Sequence, residues 1–143
     1  MLEANGHLRV ESTPWAAPSP LSAILAKDPV WSGDPWLRHK TSRRTVYAAA
    51  AAFAAAAGHP EALLWNEREE ITEFTIGNVV VDLDGELVTP PVACGLLPGT
   101  LRAEVLANGE VDERVVRVVD LPRCRRVWLI NGVRGWVPVT LVR

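Results

Sequence analysis

Three groups of residues in this sequence could do chemistry together. One is an acid, Glu73, on the stretch Ile71–Thr75, whose surroundings read apolar on both faces, so that a carboxylate there is drawn towards a site rather than towards bulk water. Another is a helix start. Pro98-Gly99 opens a helix over Thr100–Ala107, and its first N–H groups, at Thr100 and Leu101, have no intrahelical acceptors and suit an anion. The last is an amine. Of 15 basic residues only Lys27 and Lys40 are lysine, the rest being arginine. A GC-rich genome explains such a bias, but a lysine kept against it can be needed as an amine, which arginine never becomes.

The elements that must position these groups follow from pattern and punctuation. Asn5-Gly6 signals a turn in a short hairpin arm over 1–12, and Pro14, Pro18 and Pro20 make 13–20 an extended connector. Leu21–Ala26 reads as a strand and Lys27–Pro35 as a loop. A helix over Arg43–Ala57 follows from alanine propensity, with Thr41 or Ser42 as N-cap, Tyr47 and Phe53 as core anchors, and Gly58 with Pro60 as its stop. Lys40 then stands just before a helix N-terminus, where the dipole disfavours an ammonium. On position alone, a solvated lysine at an element boundary is the simpler description.

Ala62–Trp65 and Ile71–Thr75 read as antiparallel strands around the polar turn Asn66–Glu70. Asn78–Leu83 and Glu86–Thr89 form a hairpin about Asp84-Gly85, a type I′ signal. Arg114–Val119 reads as a strand, and Asp120 as the N-cap of a short helix with Pro122 in its first turn. Arg126–Ile130 and Trp136–Leu141 are strands joined by the turn Asn131–Gly135. The pattern is α+β with a largely antiparallel or mixed sheet.

The bulk numbers exclude several functions. At 143 residues the chain suits a single domain, and 48% hydrophobic with 22% charged residues is a globular composition. A formal charge of −2 gives no electrostatic case for nucleic acid or an anionic membrane, although arginines cluster at Arg38–Arg44 and Arg123–Arg126. Cys94 and Cys124 have neither metal-ligand spacing nor a disulfide framework, so no metal is expected and the reducing cytoplasm is the expected compartment. The alanine run 48–57 is too short to span a bilayer.

Three motifs together carry a resemblance. They are HKTSRR, with Lys40 and Arg44 four residues on; TEFTIGN, with Glu73, Thr75 and Asn78; and TPPVACGLLPGTLR, closing on Gly99-Thr100-Leu101-Arg102. Over roughly 36–142 the chain resembles the fold-type IV pyridoxal phosphate enzymes, the class IV aminotransferase family. The resemblance implies the C-terminal, larger domain of that fold, a mixed pseudo-barrel with flanking helices, over 21–143. It implies that 1–20 is the last hairpin and linker of an N-terminal domain that the chain otherwise lacks. The implied cofactor is pyridoxal phosphate. Lys40 would bond its aldehyde and shuttle protons at the substrate carbon, and Glu73 would face the ring nitrogen. Thr100 and Leu101 would hold the phosphate beside Asn131 and Gly132, with Thr75, Asn78 and Gly99 also at the cofactor. Arg44 and Arg134 would meet substrate.

Within the family the chain looks like 4-amino-4-deoxychorismate lyase, notably the lyase portion of fusions with aminodeoxychorismate synthase, on LLWNEREEITEFTIGNVVV and VWLINGVRGWVPV. Thr45 stands where branched-chain aminotransferases carry a tyrosine, and Asn131-Gly132-Val133 where they use Gly-Thr-Ala. The implied reaction forms 4-aminobenzoate and pyruvate from aminodeoxychorismate, in folate synthesis. A branched-chain or D-amino acid aminotransferase and a non-catalytic fragment of the fold are the alternatives. The family is dimeric, which implies a homodimer or association with a chain supplying the missing domain. The sequence departs from the fused enzymes at Glu69, where they have glycine, a harmless change unless the turn requires a positive φ. It departs again at Gly132, where they often carry a serine.

Overall fold

The fold comes from a computed structural model, which describes Gly6, Val10 and residues 19–142. The arm and connector expected over 1–18 therefore lie almost wholly outside the described residues. The first strand, β1 (Leu21–Leu25), runs parallel to both of its neighbours, β2 (Glu61–Trp65) and β8 (Gly135–Val142). Each remaining strand joins a neighbour through a short turn: β2 to β3 (Ile71–Phe74), β4 (Asn78–Leu83) to β5 (Glu86–Thr89), and β7 (Cys124–Asn131) to β8. A two-residue strand, β6 (Asp112–Glu113), adds in parallel to β5. The order is β3-β2-β1-β8-β7-β4-β5-β6, and β3 also pairs with β4, which closes six of the eight strands into a ring. The mixed, barrel-like sheet with few helices is the α+β architecture expected from the pattern.

Strand alternation explains the layers. Val79, Val81 and Leu83 of β4 point into the ring with Leu63, Phe74, Leu129 and Val137, all buried. Val80, between them, faces outward beneath the helix α2 (Thr100–Ala107), where it meets Val105 and Ile130. The helix α1 (Thr45–Ala56) covers the other side. Tyr47, Ala50 and Ala54 form its buried stripe, against Ala62 and Leu64 of β2. Phe53 lies off that stripe and is 38% exposed, so it is not the core anchor that its bulk suggested.

The Asp84-Gly85 turn has the type I′ signature, with φ of 59° and 93°. Three expectations fail locally. α1 begins at Thr45 behind Arg44, which makes no side-chain cap, while Thr41 Oγ1 instead accepts the Arg43 N–H at 3.1 Å. The helix thus starts later than Arg43, and Lys40 stands in the loop ahead of it. Arg114–Val119 does not continue as a strand, because β6 ends at Glu113 and Val118–Arg123 winds into a 3₁₀ turn. In that turn Asp120 caps from the third position by accepting the Arg117 N–H at 2.9 Å, and it is not the N-cap. A β-branched run thus yields to a turn whose acid satisfies the backbone. No helix among the described residues is long and apolar enough to cross a membrane.

The turn between β2 and β3 exposes a local conflict. Glu69, where the related fused enzymes carry glycine, has φ of 59°. The turn does require a left-handed residue, and glutamate adopts that conformation at a cost of about 1 kcal/mol. Its side chain is exposed and makes no described hydrogen bond. Glu69→Gly is expected to raise unfolding stability by up to about 1 kcal/mol, less the extra freedom glycine gives the unfolded chain. Urea unfolding followed by circular dichroism checks this, and a loss of stability would show the turn to be unstrained.

Candidate functional site

The carboxylate of Glu73 is held where the ring closes. The turn Thr75-Ile76-Gly77 joins β3 to β4, setting Glu73 opposite Asn78, with the Phe74 N–H donating to the Gly77 carbonyl at 2.8 Å. Gly77 is required by proximity: a Cβ there would lie 2.7 Å from the Ile130 carbonyl oxygen of β7. Glu73 is 3% exposed. Its Oε1 accepts from the Tyr47 hydroxyl at 2.7 Å and the Leu97 N–H at 3.1 Å, and its Oε2 accepts from Asn78 Nδ2 at 3.3 Å. Asn78 Nδ2 also donates to the Leu97 carbonyl at 2.8 Å.

Burial pushes the Glu73 carboxyl up to about 7. Opposing that rise are the hydrogen bonds from Tyr47 and Leu97 and the charges of Arg44 and Lys40. The Tyr47 phenol is pushed well above its ordinary value, first by burial and then by Glu73 itself, so it stays protonated and donates. Among the described residues Glu73 makes no salt bridge. It is a desolvated acid in the field of Arg44 and Lys40 but in direct contact with neither, and such groups concentrate at functional sites.

Glu73 lines a cavity of about 550 Å³. Lys40, Arg44, Thr75, Asn78, Gly99, Thr100, Leu101, Asn131 and Gly132 line it too, so ten of the residues singled out in the sequence come together around one space. Arg134 does not line it; its exposed side chain belongs to the turn after β7, where its N–H donates to Asn131 Oδ1 at 2.8 Å. The Thr75 hydroxyl is committed elsewhere, donating to the buried carboxylate of Glu61.

The far end of the cavity is built for close approach. A Cβ at Gly99 would fall 2.2 Å from Asn78 Oδ1, and one at Gly132 would fall 3.0 Å from Thr100 Oγ1. Glycine at 99 lets the start of α2 approach Asn78 of β4, and glycine at 132 lets the turn after β7 approach Thr100, with the N–H groups of Thr100 and Leu101 lacking helical acceptors. The opposite wall, carrying Lys40, Arg43 and Arg44, is open to solvent. Arg44 donates to the Thr75 carbonyl and lies 4.7 Å from the Tyr47 ring centroid.

Two contributors went unrecognised in the sequence. From the sequence Tyr47 reads as a core anchor, its one further signal being that it is the chain's single tyrosine, in a helix otherwise rich in alanine. Glu61 anchors the β3–β4 turn by accepting the Thr75 N–H at 3.0 Å. An acid opening an apolar strand was its one signal. No group of three or more His, Cys, Asp or Glu among the described residues could hold a metal ion.

Comparisons with known proteins bear on the family and the fold. The family model for amino-transferase class IV matches residues 3–142. A protein of Schizosaccharomyces pombe that carries the provisional name aminodeoxychorismate lyase is 31% identical over 125 residues, 81% of this chain and 53% of the relative. The chain thus spans about half the length of the curated relative it matches. A crystal structure from Mesorhizobium loti, described provisionally as an amino-acid aminotransferase, superposes with a TM-score of 0.83 at 43% identity, covering 91% of this chain and 63% of that one. A structure from Legionella pneumophila, described provisionally as a 4-amino-4-deoxychorismate lyase, gives a TM-score of 0.83 at 23% identity, over 92% and 51%. At that identity it speaks for the fold alone.

The raised Glu73 value fixes a sign for pH dependence. Between its ordinary value of 4.5 and about 7, folded protein holds a proton that the unfolded chain releases, so stability falls as pH rises through that window. The loss between pH 5 and 8 is on the order of 2 to 3 kcal/mol. Glu70, lowered to about 2 by Arg68, gives its full contribution above its ordinary value and does not change in this range. Glu73→Gln should remove this part of the slope in urea unfolding at pH 5 and 8; an unchanged slope would assign the titration to another group.

Proposed function

The chain belongs to the amino-transferase class IV family, and from that premise we propose that it forms the pyridoxal phosphate site of a 4-amino-4-deoxychorismate lyase. Members of the family are pyridoxal phosphate enzymes. The observation that carries the reading is Glu73, a buried carboxylate with no salt bridge among the described residues, which shares one cavity with Lys40 and the N-terminus of α2.

The residues fit the cofactor at three points. Glu73, balanced near neutrality, would face the ring nitrogen and favour its protonated form, with Tyr47 and the Leu97 N–H fixing the carboxylate. The N–H groups of Thr100 and Leu101 would hold the phosphate, and glycine at 99 and 132 lets the helix start lie close to Asn78 and to the turn after β7. Lys40 would supply the amine. When bound, the cofactor withdraws electrons from the substrate carbon. Lys40 then moves the proton at that carbon, and Asn78 keeps the Glu73 carboxylate from turning by joining it to the Leu97 carbonyl. Loss of pyruvate from aminodeoxychorismate leaves 4-aminobenzoate.

A second reading has its own support. The 43% identity to the Mesorhizobium loti protein favours an amino-acid aminotransferase built on the same cofactor floor. Both readings give Lys40 and Glu73 the same roles and differ in substrate.

Borohydride reduction in the presence of pyridoxal phosphate is expected to attach cofactor to Lys40, located by peptide mapping. Label on Lys27, or none, would sink the cofactor site. With aminodeoxychorismate, 4-aminobenzoate should form and Lys40→Ala should abolish it. Amino-group transfer to a 2-oxo acid, without 4-aminobenzoate, would instead establish the aminotransferase.

A further inference from the structure

Arg44 lines the cavity, yet its guanidinium is already engaged on two sides. Its Nη2 donates to the Thr75 carbonyl, and its Cζ lies over the Tyr47 ring, 4.7 Å from the centroid. Arg44 immediately precedes α1 and Tyr47 stands three residues on, a spacing that brings two side chains together on one helix face. An arginine that awaits a substrate carboxylate keeps its parallel N–H groups free for a bidentate contact. Here one arm of the fork is taken by a backbone carbonyl and the face by a ring.

Both partners of Arg44 take part in fixing Glu73. Tyr47 donates its hydroxyl to Glu73 Oε1 at 2.7 Å. Thr75 stands two residues beyond the acid, in the turn that closes the ring, with its N–H and hydroxyl both on Glu61 of β2. Arg44 adds a third tie to that residue, through the carbonyl. One guanidinium therefore links the phenol on α1 to the turn on the barrel wall. Its charge also opposes the effect of burial on Glu73, as does that of Lys40. The other titratable side chains lining the cavity are His39 and Arg43. Asp34 acts on the phenol, while Leu97 and Asn78 bring only neutral N–H groups to the acid.

We propose that Arg44 is a positioning residue of this site and not a substrate contact: clamped between the Tyr47 ring and the Thr75 carbonyl, it keeps the phenol aimed at Glu73 and favours the carboxylate form of that acid. A cation held away from direct contact sets the charge of the acid without neutralising it. The carboxylate is the form that can pair with a protonated ring nitrogen. That consequence for catalysis rests on the pyridoxal phosphate reading of the cavity, whereas the clamp is a property of the chain alone.

Tyr47 is the chain's single tyrosine, so tyrosine isotopically labelled at Cζ gives one NMR signal, from the phenol that touches Glu73. In the whole chain without cofactor, that signal should move with a midpoint at about pH 7, and Glu73→Gln should abolish the movement. Arg44→Gln should raise the midpoint by about half a unit to one unit. Arg44→Lys, which keeps a cation and one donor for the carbonyl, should return most of that shift. Arg44 is exposed, so both variants should fold. With pyridoxal phosphate and aminodeoxychorismate, Arg44→Gln should lower kcat more than it raises KM. A midpoint that Arg44→Gln leaves in place, or that Arg44→Lys fails to restore, overturns the proposal. A rise in KM at constant kcat does so too, since it marks a lost substrate contact. Borohydride labelling of the same proteins separates the two readings. Labelled Lys40 with an unmoved midpoint removes only the clamp, whereas a moved midpoint without label removes only the cofactor reading.

Discussion

One pairing governs this structure: the bridge of Glu73 with Asn78 that closes the strand ring. A sheet that curls on itself must join its first and last strands, and here a three-residue turn makes the join. The turn can approach β7 because residue 77 has no side chain, and it is tied down by Glu61 through both the N–H and the hydroxyl of Thr75. The acid is consequently part of the barrel wall and cannot swing out to water. Its desolvation, and the proton affinity that follows, are consequences of topology.

Around that fixed acid the site divides electrostatically. The inner wall holds a carboxylate with three neutral donors, one each from Tyr47, Leu97 and Asn78. Neutral donors orient a carboxylate without discharging it, which leaves its charge available to a cationic group entering the cavity. The outer wall carries the amine and the guanidinium groups in contact with solvent, where desolvation is small. Arg44 links the walls, since its guanidinium holds the carbonyl of Thr75, two residues beyond the acid.

Much of this was legible because it is local. The Asp84-Gly85 hairpin, the start of α2 after Pro98-Gly99 and the strand pairs on either side of short turns each follow from a few adjacent residues. The motif Thr72–Asn78 placed the acid and the asparagine correctly because their spacing is the turn itself. What the sequence hid was non-local. Nothing in it shows that β3 pairs with β4 as well as β2, or that β1 runs between two parallel neighbours. Tyr47 and Phe53 look alike in an alanine helix, and only the position of β2 decides that one is buried and the other exposed. At Arg114–Val119 strand propensity lost to a capping acid three residues along from Arg117.

The energetics of Glu73 also weigh on why the chain retains it. A buried, unpaired carboxylate lowers stability at neutral pH, and an amide of the same shape would escape that penalty. A chain that kept this fold only to pack against a partner would have no use for the charge. It would gain from losing the acid. Instead the buried acid and the open helix end occur around one cavity, the acid at a cost to stability. A ligand with a cation for Glu73 and an anion for α2 relieves both ends at once, and its binding adds to folded-state stability by mass action. The arrangement sets a cost to the stability of the barrel at neutral pH against the gain that such a ligand would bring.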